Sequence, residues 1–388
     1  MALEFTVADV AYLTSAPGAA ALAEVDEFAL TDLVSEVAAL RRRFGGRAPV
    51  LVETTLLRRR ARAKLAGADE WLLTDEALQQ ATTTAVAAHR ATRLAGRAVH
   101  DATCSVGAEL AALRDAAPNL VGSDLDPVRL MMARHNLGAH VPVCRADALR
   151  PITRDAVVLV DPARRSGGTR RFDPRAYTPP LDAVLQVYRE RDLVVKCAPG
   201  IDFAAIGELG FDGEIEVTSL GGSVREACLW SHGLAQPGIR RRASLLDTGE
   251  QLTDAEPDDC GVAAAGRWIV DPDGAVVRAG LVRQYAARHG LWQLDPDIAY
   301  LSGDALPDGV RGFAVIDTLA FSEKKLRQAL SALDCGALEI LVRGVAVDPD
   351  ALRRRLKPRG TQSLSVVITR LGAGASSRAV AFVCRPSR

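Results

Sequence analysis

Aromatic residues are scarce: Phe, Tyr and Trp make up 5% of the 388 residues. That scarcity excludes an extensive stacking platform for single-stranded nucleic acid. No apolar run approaches the roughly 18–20 residues of a membrane span. Net charge is missing as well, since Lys plus Arg and Asp plus Glu both total 48. A polyanionic partner must therefore be met by local clusters, not by the chain as a whole. Paired cysteines are absent: none of Cys104, Cys144, Cys197, Cys228, Cys260, Cys335 and Cys384 stands in a Cys-x-x-Cys motif. With an odd count, this argues against a zinc ribbon or a disulfide framework, and a reducing cytoplasm fits. The histidines (His89, His100, His135, His140, His232, His289) show no ligand spacing, so no metal is expected. Glu4 and Asp9 stand where a secretory leader would be basic and then apolar, which again fits a cytoplasmic protein.

What remains is a chain long enough for two or three domains, with 48% hydrophobic residues to fill their cores. Residues 1–94 read as helical. Leu22, Val25, Leu30, Leu33, Val34, Val37 and Leu40 fall on one stripe of a helix over Ala21–Phe44. Val50–Thr54 suits a short strand, and Thr74 caps a helix over about Asp75–Leu94. Residues 95–235 alternate strand and helix. Strands are expected near Ala98–Asp101, Leu120–Ser123, Val141–Arg145, Ala156–Val160, Leu193–Lys196 and Gly213–Ser219, with a further one at Glu226–Ser231. Short apolar runs of this kind belong to a parallel sheet covered on both faces, and the late strands suggest an antiparallel edge. Residues 236–312 are rich in Gly, Pro and Asp and read as a small β-rich module. Residues 313–388 return to an α+β pattern, with helices at Glu323–Ala332 and Pro349–Leu356.

The chemistry concentrates at the ends of the strands in 95–235. Val99–Leu110 reads VHDATCSVGAEL: an apolar strand ends in Asp101, and a tight loop of small residues opens a helix. About twenty residues on, VGSDLDP ends a second strand in Asp124. An acid there accepts both hydroxyls of a ribose. Asp126 before Pro127 reads instead as an N-cap with proline at the first helical position. Asp147, after the third strand, suits the amino group of an adenine, with the Ala148 N–H beside it. The layout is that of an adenosine-containing cofactor at the end of a parallel sheet.

The assembled pattern resembles the class I S-adenosylmethionine (SAM)-dependent methyltransferases over about residues 75–232. It is most similar to the RNA cap guanine-N2, trimethylguanosine synthase-like group. That group's Asp-x-(Phe/Thr)-Cys-x-x-Gly, Asp-x-Asp-Pro and Ala-Arg-His-Asn motifs are met by Asp101–Gly107, Asp124–Pro127 and Ala133–Asn136. Leu78–Thr82 looks like its upstream Glu-Gln-Ala-Thr helix, with Gln79 in place of Glu. Residues from about 310 resemble a THUMP-like domain. The resemblance implies an α/β fold: a Rossmann-like methyltransferase sheet, an N-terminal helical region and a C-terminal α+β THUMP-like module. It implies SAM as cofactor, held by Asp101, Ala102, Thr103, Ser105, Gly107, Asp124, Leu125, Asp147 and Ala148, with Gln80 and Thr82 from the upstream helix. The usual acid-x-Gly-x-Gly-x-Gly loop keeps only Gly107; Thr103 and Ser105 replace its other glycines, and their hydroxyls are placed to meet the amino-acid end of the ligand.

The acceptor motif of such enzymes is (Asp/Asn/Ser)-Pro-Pro-aromatic. Here Asp161 and Pro162 match, while Ala163 and Arg164 replace the second proline and the aromatic. Asp161, Pro162 and Arg164 are thus the candidate catalytic residues, with Arg164 stacking or binding phosphate in place of the ring. The following loop offers Arg165, Arg170, Arg171 and Phe172 to a polyanionic substrate, and Tyr177 is a further candidate ring. Residues 313–388 hold 13 Lys/Arg against 6 Asp/Glu, with Lys324, Lys325 and Arg343 prominent, which suits RNA docking. Arg41–Arg43 and Arg58–Lys64 extend that track. These observations lead to a methyltransferase acting on a base nitrogen of structured RNA, tRNA or rRNA. Three alternatives stay open. Lys196-Cys197-Ala198-Pro199 also resembles the Cys-x-Pro turn of RNA 5-methyluridine methyltransferases, where a thiolate attacks the ring. The incomplete acceptor motif is compatible with an inactive SAM- and RNA-binding protein. Methylation of a small molecule is the third.

Overall fold

Four helices open the chain: α1 (Val7–Leu13), α2 (Ala16–Asp26), α3 (Leu33–Phe44) and α4 (Ala48–Ala61). Thr6 and Asp9 form a capping box that starts α1. The computed structural model describes residues 3–31, 33–163, 165, 166, 169, 170 and 173–387. Three local expectations fail here. The single stripe over Ala21–Phe44 is two helices, separated around Leu30, whose φ is +56°. Arg59 holds that break by donating to the carbonyls of Asp26, Phe28 and Ala29. Val50–Thr54 is helical because Pro49 sits in the first turn of α4, and Val50, Leu51, Val52 and Thr54 are all buried by neighbouring helices. The helix expected over Asp75–Leu94 is α5 (Asp75–Gln80) and α6 (Thr84–Arg93). Lys64 Nζ donates to the Leu78 and Gln79 carbonyls at the end of α5, each at 2.8 Å, and the helix stops at Ala81, whose ψ is 140°.

The chain divides into two compact units, residues 1–215 with 225–237 and residues 216–224 with 238–388. The first holds β1 (Val99–Asp101), α7 (Ala108–Leu113), β2 (Leu120–Asp124), α8 (Pro127–Leu137), β3 (Val143–Arg145) and β4 (Val157–Val160). A two-residue ribbon follows, β5 (Arg165–Ser166) with β6 (Thr169–Arg170), then α9 (Leu181–Val187), β7 (Leu193–Cys197) and α10 (Phe203–Glu208). Strands run in the order β3-β2-β1-β4-β7, all parallel. β8 (Gly213–Leu220) leads into β9 (Ser223–Ser231), which pairs antiparallel with β7. β1 thus lies at the point where the strand order reverses, and the crevice at its carboxyl end is where such sheets bind ligands. One apolar core, with Val99, Leu110 and Leu159, covers one face of the sheet. Another, with Val158, Val160, Leu181 and Tyr188, covers the other. The first five helices share a third core that includes Val106 and Met132.

In the second unit, β10 (Arg241–Leu245) and β11 (Glu250–Thr253) form a hairpin. A seven-stranded sheet combines β12 (Trp268–Val270), β13 (Trp292–Asp295), β14 (Ile298–Gly303), β15 (Gly312–Ala320), β16 (Cys335–Arg343), β17 (Gln362–Leu371) and β18 (Arg378–Pro386). The helices α11 (Gly274–Ala279) and α12 (Val282–His289) lie within residues 236–312, so that stretch is less purely β than its composition suggests. Its strands β12–β14 share the sheet of β15–β18. The helices α13 (Glu323–Ala332) and α14 (Pro349–Leu356) fall where expected and bury Leu326, Leu330, Leu352 and Leu356.

Candidate active site

Four of the five parallel strands, β1 to β4, lead into a carboxylate at one place, and β7 brings Lys196 to them. Asp101 closes β1 and is buried, with Oδ1 accepting the Thr103 N–H at 3.1 Å. Ser105 follows with a φ of +48°, a left-handed residue where the usual loop has glycine. Gly107 has a φ of +90°, which side chains rarely adopt, and a Cβ there would also come within 2.8 Å of Leu137 Cδ1. Asp124, at the end of β2, accepts the Ser105 N–H on Oδ2 and the Asp126 N–H on Oδ1, both at 2.9 Å. The carboxylate thus ties the loop after β1 to the loop after β2. Asp126 is the N-cap of α8, accepting from Val128 and Arg129. Asp147 accepts the Leu149 N–H, and the adjacent Ala148 carbonyl takes the Tyr188 hydroxyl at 2.6 Å.

These residues line a cavity of about 440 Å³. Asp101, Ala102, Thr103, Ser105, Asp124, Leu125, Asp147 and Ala148 all face it, and so do Gln80 and Thr82 from the break after α5. Leu125 is 57% exposed, an apolar side chain held at the cavity wall. Gly107 does not line the space but shapes the loop that does. Thr103 differs from expectation. Its hydroxyl oxygen accepts the backbone N–H of Asp161 at 2.7 Å, so it binds the first loop to the acceptor motif.

A second cavity, of about 260 Å³, adjoins the first. Gln80, Ala81, Thr82, Asp161, Ala163 and Lys196 line both. Pro162 faces only the second, together with Lys64, Gln79, Thr83, Cys197, Arg225 and Glu226. Asp161 Oδ2 receives a hydrogen bond from Lys196 Nζ at 2.6 Å, and that ammonium also lies 3.4 Å from Glu109. Glu109 pairs in turn with Arg90 at 3.0 Å, and Arg90 with Glu226 at 2.5 Å. Burial works to lower the pKa of Lys196, but the carboxylates of Asp161 and Glu109 outweigh it and hold it above the ordinary lysine value. Arg90 is likewise held cationic, by Glu109 and Glu226. Burial, reinforced by Glu109, pushes Asp101 up to about 8. Burial also raises the Cys104 thiol far beyond reactivity.

Sequence reasoning missed most of this network. Lys196 was visible only as the neighbour of Cys197, although a lone lysine in an otherwise apolar strand is itself a signal. Glu109, Arg90 and Glu226 carried none, because their partners are distant in the chain. Cys197 is buried, with its thiol 3.9 Å from the Val195 carbonyl, and its lysine neighbour is committed to carboxylates. Tyr177 is 2% exposed and belongs to the core beneath the sheet, so it supplies no stacking ring. Arg164, Arg171 and Phe172 lie outside the described residues, as do the side chains of Arg165 and Arg170.

The basic track is thinner than its residue count. Arg58 donates to the Glu70 and Trp71 carbonyls, Arg60 pairs with Asp75 and Arg62 with Asp69. With Arg59 and Lys64 on carbonyls, this cluster clamps helices. Arg343 pairs with Asp271 at 2.8 Å, which removes it from the free cations. Lys324 and Lys325 are exposed on α13 with no ion-pair partner among the described residues.

Over 358 residues the chain is 69% identical to an uncharacterized S-adenosylmethionine-dependent methyltransferase found in two strains of Mycobacterium tuberculosis, CDC 1551 and H37Rv. The match spans 90% of this chain and 100% of the relative in each strain. The chain belongs to the S-adenosylmethionine-dependent methyltransferases. A family described as THUMP domain-like matches residues 310–386 of the enzyme. The fold of the methyltransferase matches that of a crystal structure from Porphyromonas gingivalis W83, with a TM-score of 0.77 at 20% identity and full coverage of both chains. The cavity chemistry fits the cofactor. Each Asp124 oxygen accepts one backbone N–H and keeps lone-pair capacity for a diol, while Asp147 accepts one on Oδ1 and keeps capacity for a further donor. Among the described residues of this methyltransferase, no helix is long and apolar enough to cross a membrane and no cluster of groups suits a metal.

Proposed function

We propose that this methyltransferase modifies a base nitrogen of structured RNA, tRNA or rRNA, in the manner of a guanine-N2 enzyme. The observation that carries the reading is the position of Asp161, on the wall common to two cavities, one of which has the cofactor chemistry described above. In this reading Asp124 receives the ribose hydroxyls. Asp147 and the Ala148 N–H meet the adenine, with Leu125 against its ring. The loop of Ala102, Thr103, Ser105 and Gly107 surrounds the amino-acid end, with Asp101 beneath it and Gln80 and Thr82 opposite. When bound, SAM supplies an electrophilic methyl group whose carbon–sulfur bonding electrons return to sulfur on transfer. Asp161 accepts a hydrogen bond from the acceptor amine, aiming the nitrogen lone pair; the surplus proton leaves to water after the nitrogen is methylated. Pro162 stiffens the turn that carries Asp161. Alignment in a water-poor pocket is most of what such a transfer requires.

The RNA assignment is supported by the THUMP domain-like match and by the exposed Lys324 and Lys325. Arg164, Arg165, Arg170, Arg171 and Phe172 complete the substrate-binding set. The test is transfer of labelled methyl from SAM to RNA isolated from a strain lacking the protein, followed by nucleoside mass spectrometry. N2-methylguanosine is expected, and absence of any labelled nucleoside refutes the reading. Lys324→Glu with Lys325→Glu should raise KM for RNA about tenfold, by removing phosphate contacts. Cys197→Ser should retain activity, whereas a carbon methyltransferase would lose it.

A further inference from the structure

A row of charges of alternating sign runs along the two cavities: Asp161, Lys196, Glu109, Arg90 and Glu226, all buried except Asp161, which is partly exposed. Its first link is the shortest contact that Lys196 makes, 2.6 Å to Asp161 Oδ2. Lys196 is the one charged residue of β7, buried between apolar neighbours. Burying an ammonium is costly, and a purely packing strand position would be filled by an aliphatic residue. Its place makes sense if the orientation of Asp161 matters. Asp161 is anchored at two points in all: its N–H by Thr103, and its Oδ2 by Lys196. Its Oδ1 has no hydrogen-bond partner among the described residues.

One polar side chain on the second cavity also lacks a described partner. Thr83 Oγ1 is buried there with no hydrogen-bond partner among the described residues. The Lys64 ammonium at the same wall is already turned onto the Leu78 and Gln79 carbonyls. Buried hydroxyls without partners are uncommon and point to a missing polar group.

We propose that the second cavity receives the acceptor nucleobase and that Lys196 is a positioning residue: it pins Asp161 Oδ2 so that Oδ1 meets the amino group of the base, while the Thr83 hydroxyl meets another polar atom on the base edge. The occupant is thus a nucleobase carrying an exocyclic amine. This inference rests on the base-nitrogen reading above. Lys196 also lines the first cavity, but the cofactor's polar partners in that reading, Asp124 and Asp147, come from the end of β2 and the loop after β3.

The experiment is a double-mutant cycle on the full-length protein with Lys196→Met and Asp161→Asn, together with Lys196→Arg and Thr83→Val. Each variant is assayed for kcat and KM with RNA from the deletion strain, for S-adenosylhomocysteine affinity by calorimetry, and for its melting temperature. Lys196→Met should lower kcat about a hundredfold, the scale of a misplaced reacting partner, with S-adenosylhomocysteine affinity within about threefold of wild type. Lys196→Arg should restore part of the rate. In the Asp161→Asn background, Lys196→Met should cost almost nothing further, because the group it holds is gone. Thr83→Val should raise KM more than it lowers kcat. If Lys196→Met alone fails to fold, the comparison of Asp161→Asn with the double variant decides, since that pair keeps the buried charge balanced. Equal losses from Lys196→Met in both backgrounds, or a fall in S-adenosylhomocysteine affinity that tracks kcat, overturn the inference alone. Wild-type enzyme that labels no RNA overturns the base-nitrogen reading, and the inference with it.

Discussion

The hydroxyl oxygen of Thr103 accepts the backbone N–H of Asp161 at 2.7 Å. Thr103 thereby joins the loop after β1 to the Asp161-Pro162 turn after β4. Thr103→Val keeps the shape and removes the acceptor. It should lower stability by about 1–2 kcal/mol, the cost of an unsatisfied buried donor, and kcat by roughly tenfold. Chemical denaturation and steady-state kinetics measure the two effects. Unchanged kinetics would mean that the contact is only structural.

Asp124→Asn should weaken SAM binding ten- to a hundredfold, the scale of about 1.5–3 kcal/mol for hydrogen bonds to a charged group. The carboxylate also orders the Ser105 and Asp126 N–H groups, so part of the loss is disorder of the two loops. Asp126→Asn is the control, because asparagine caps α8 about as well. Titration calorimetry should find its SAM affinity close to wild type.

Asp101 makes stability fall as pH rises. Burial and Glu109 hold its folded-state pKa at about 8, above its ordinary value of 3.8. Between those values the native chain binds a proton that the unfolded chain has released. The contribution is therefore complete below pH 3.8, shrinks as pH rises, and is lost through about pH 8. Lys196 and Asp161 also face this carboxyl, the first lowering and the second raising its pKa. Asp101→Asn carries no such proton. Its melting temperature relative to wild type should climb from pH 5 to pH 9, and parallel curves would contradict the burial effect.

Arg90→Met should destabilise the protein by about 3–5 kcal/mol, because Glu109 and Glu226 then lose a fully buried counter-charge. Adding Glu226→Gln should recover part of that loss, read as a shift in the urea midpoint. A single variant as stable as wild type would show that water or Lys196 compensates.

The strand-end acids were legible because a parallel sheet delivers ligands to the carboxyl ends of its strands, so Asp101, Asp124 and Asp147 declare themselves by position. Asp126 was legible for the opposite reason, as a cap fixed by the proline after it. The Asp161–Lys196 contact was not, since it joins neighbouring strands across 35 positions of sequence. Local pattern also misread Val50–Thr54, where β-branched residues are buried on every side of a helix. It overcounted free cations in Arg58–Lys64, because a guanidinium that holds carbonyls looks the same in sequence as one that awaits phosphate.

The break between α5 and α6 sets the limits of the catalytic fragment. Gln80, Ala81 and Thr82 furnish one side of both cavities, and Lys64 keeps that corner in place. A truncated protein beginning at the first strand would leave both cavities without their opposite bank, open to solvent. The helices that precede the sheet are therefore part of the enzyme, not a dispensable appendage.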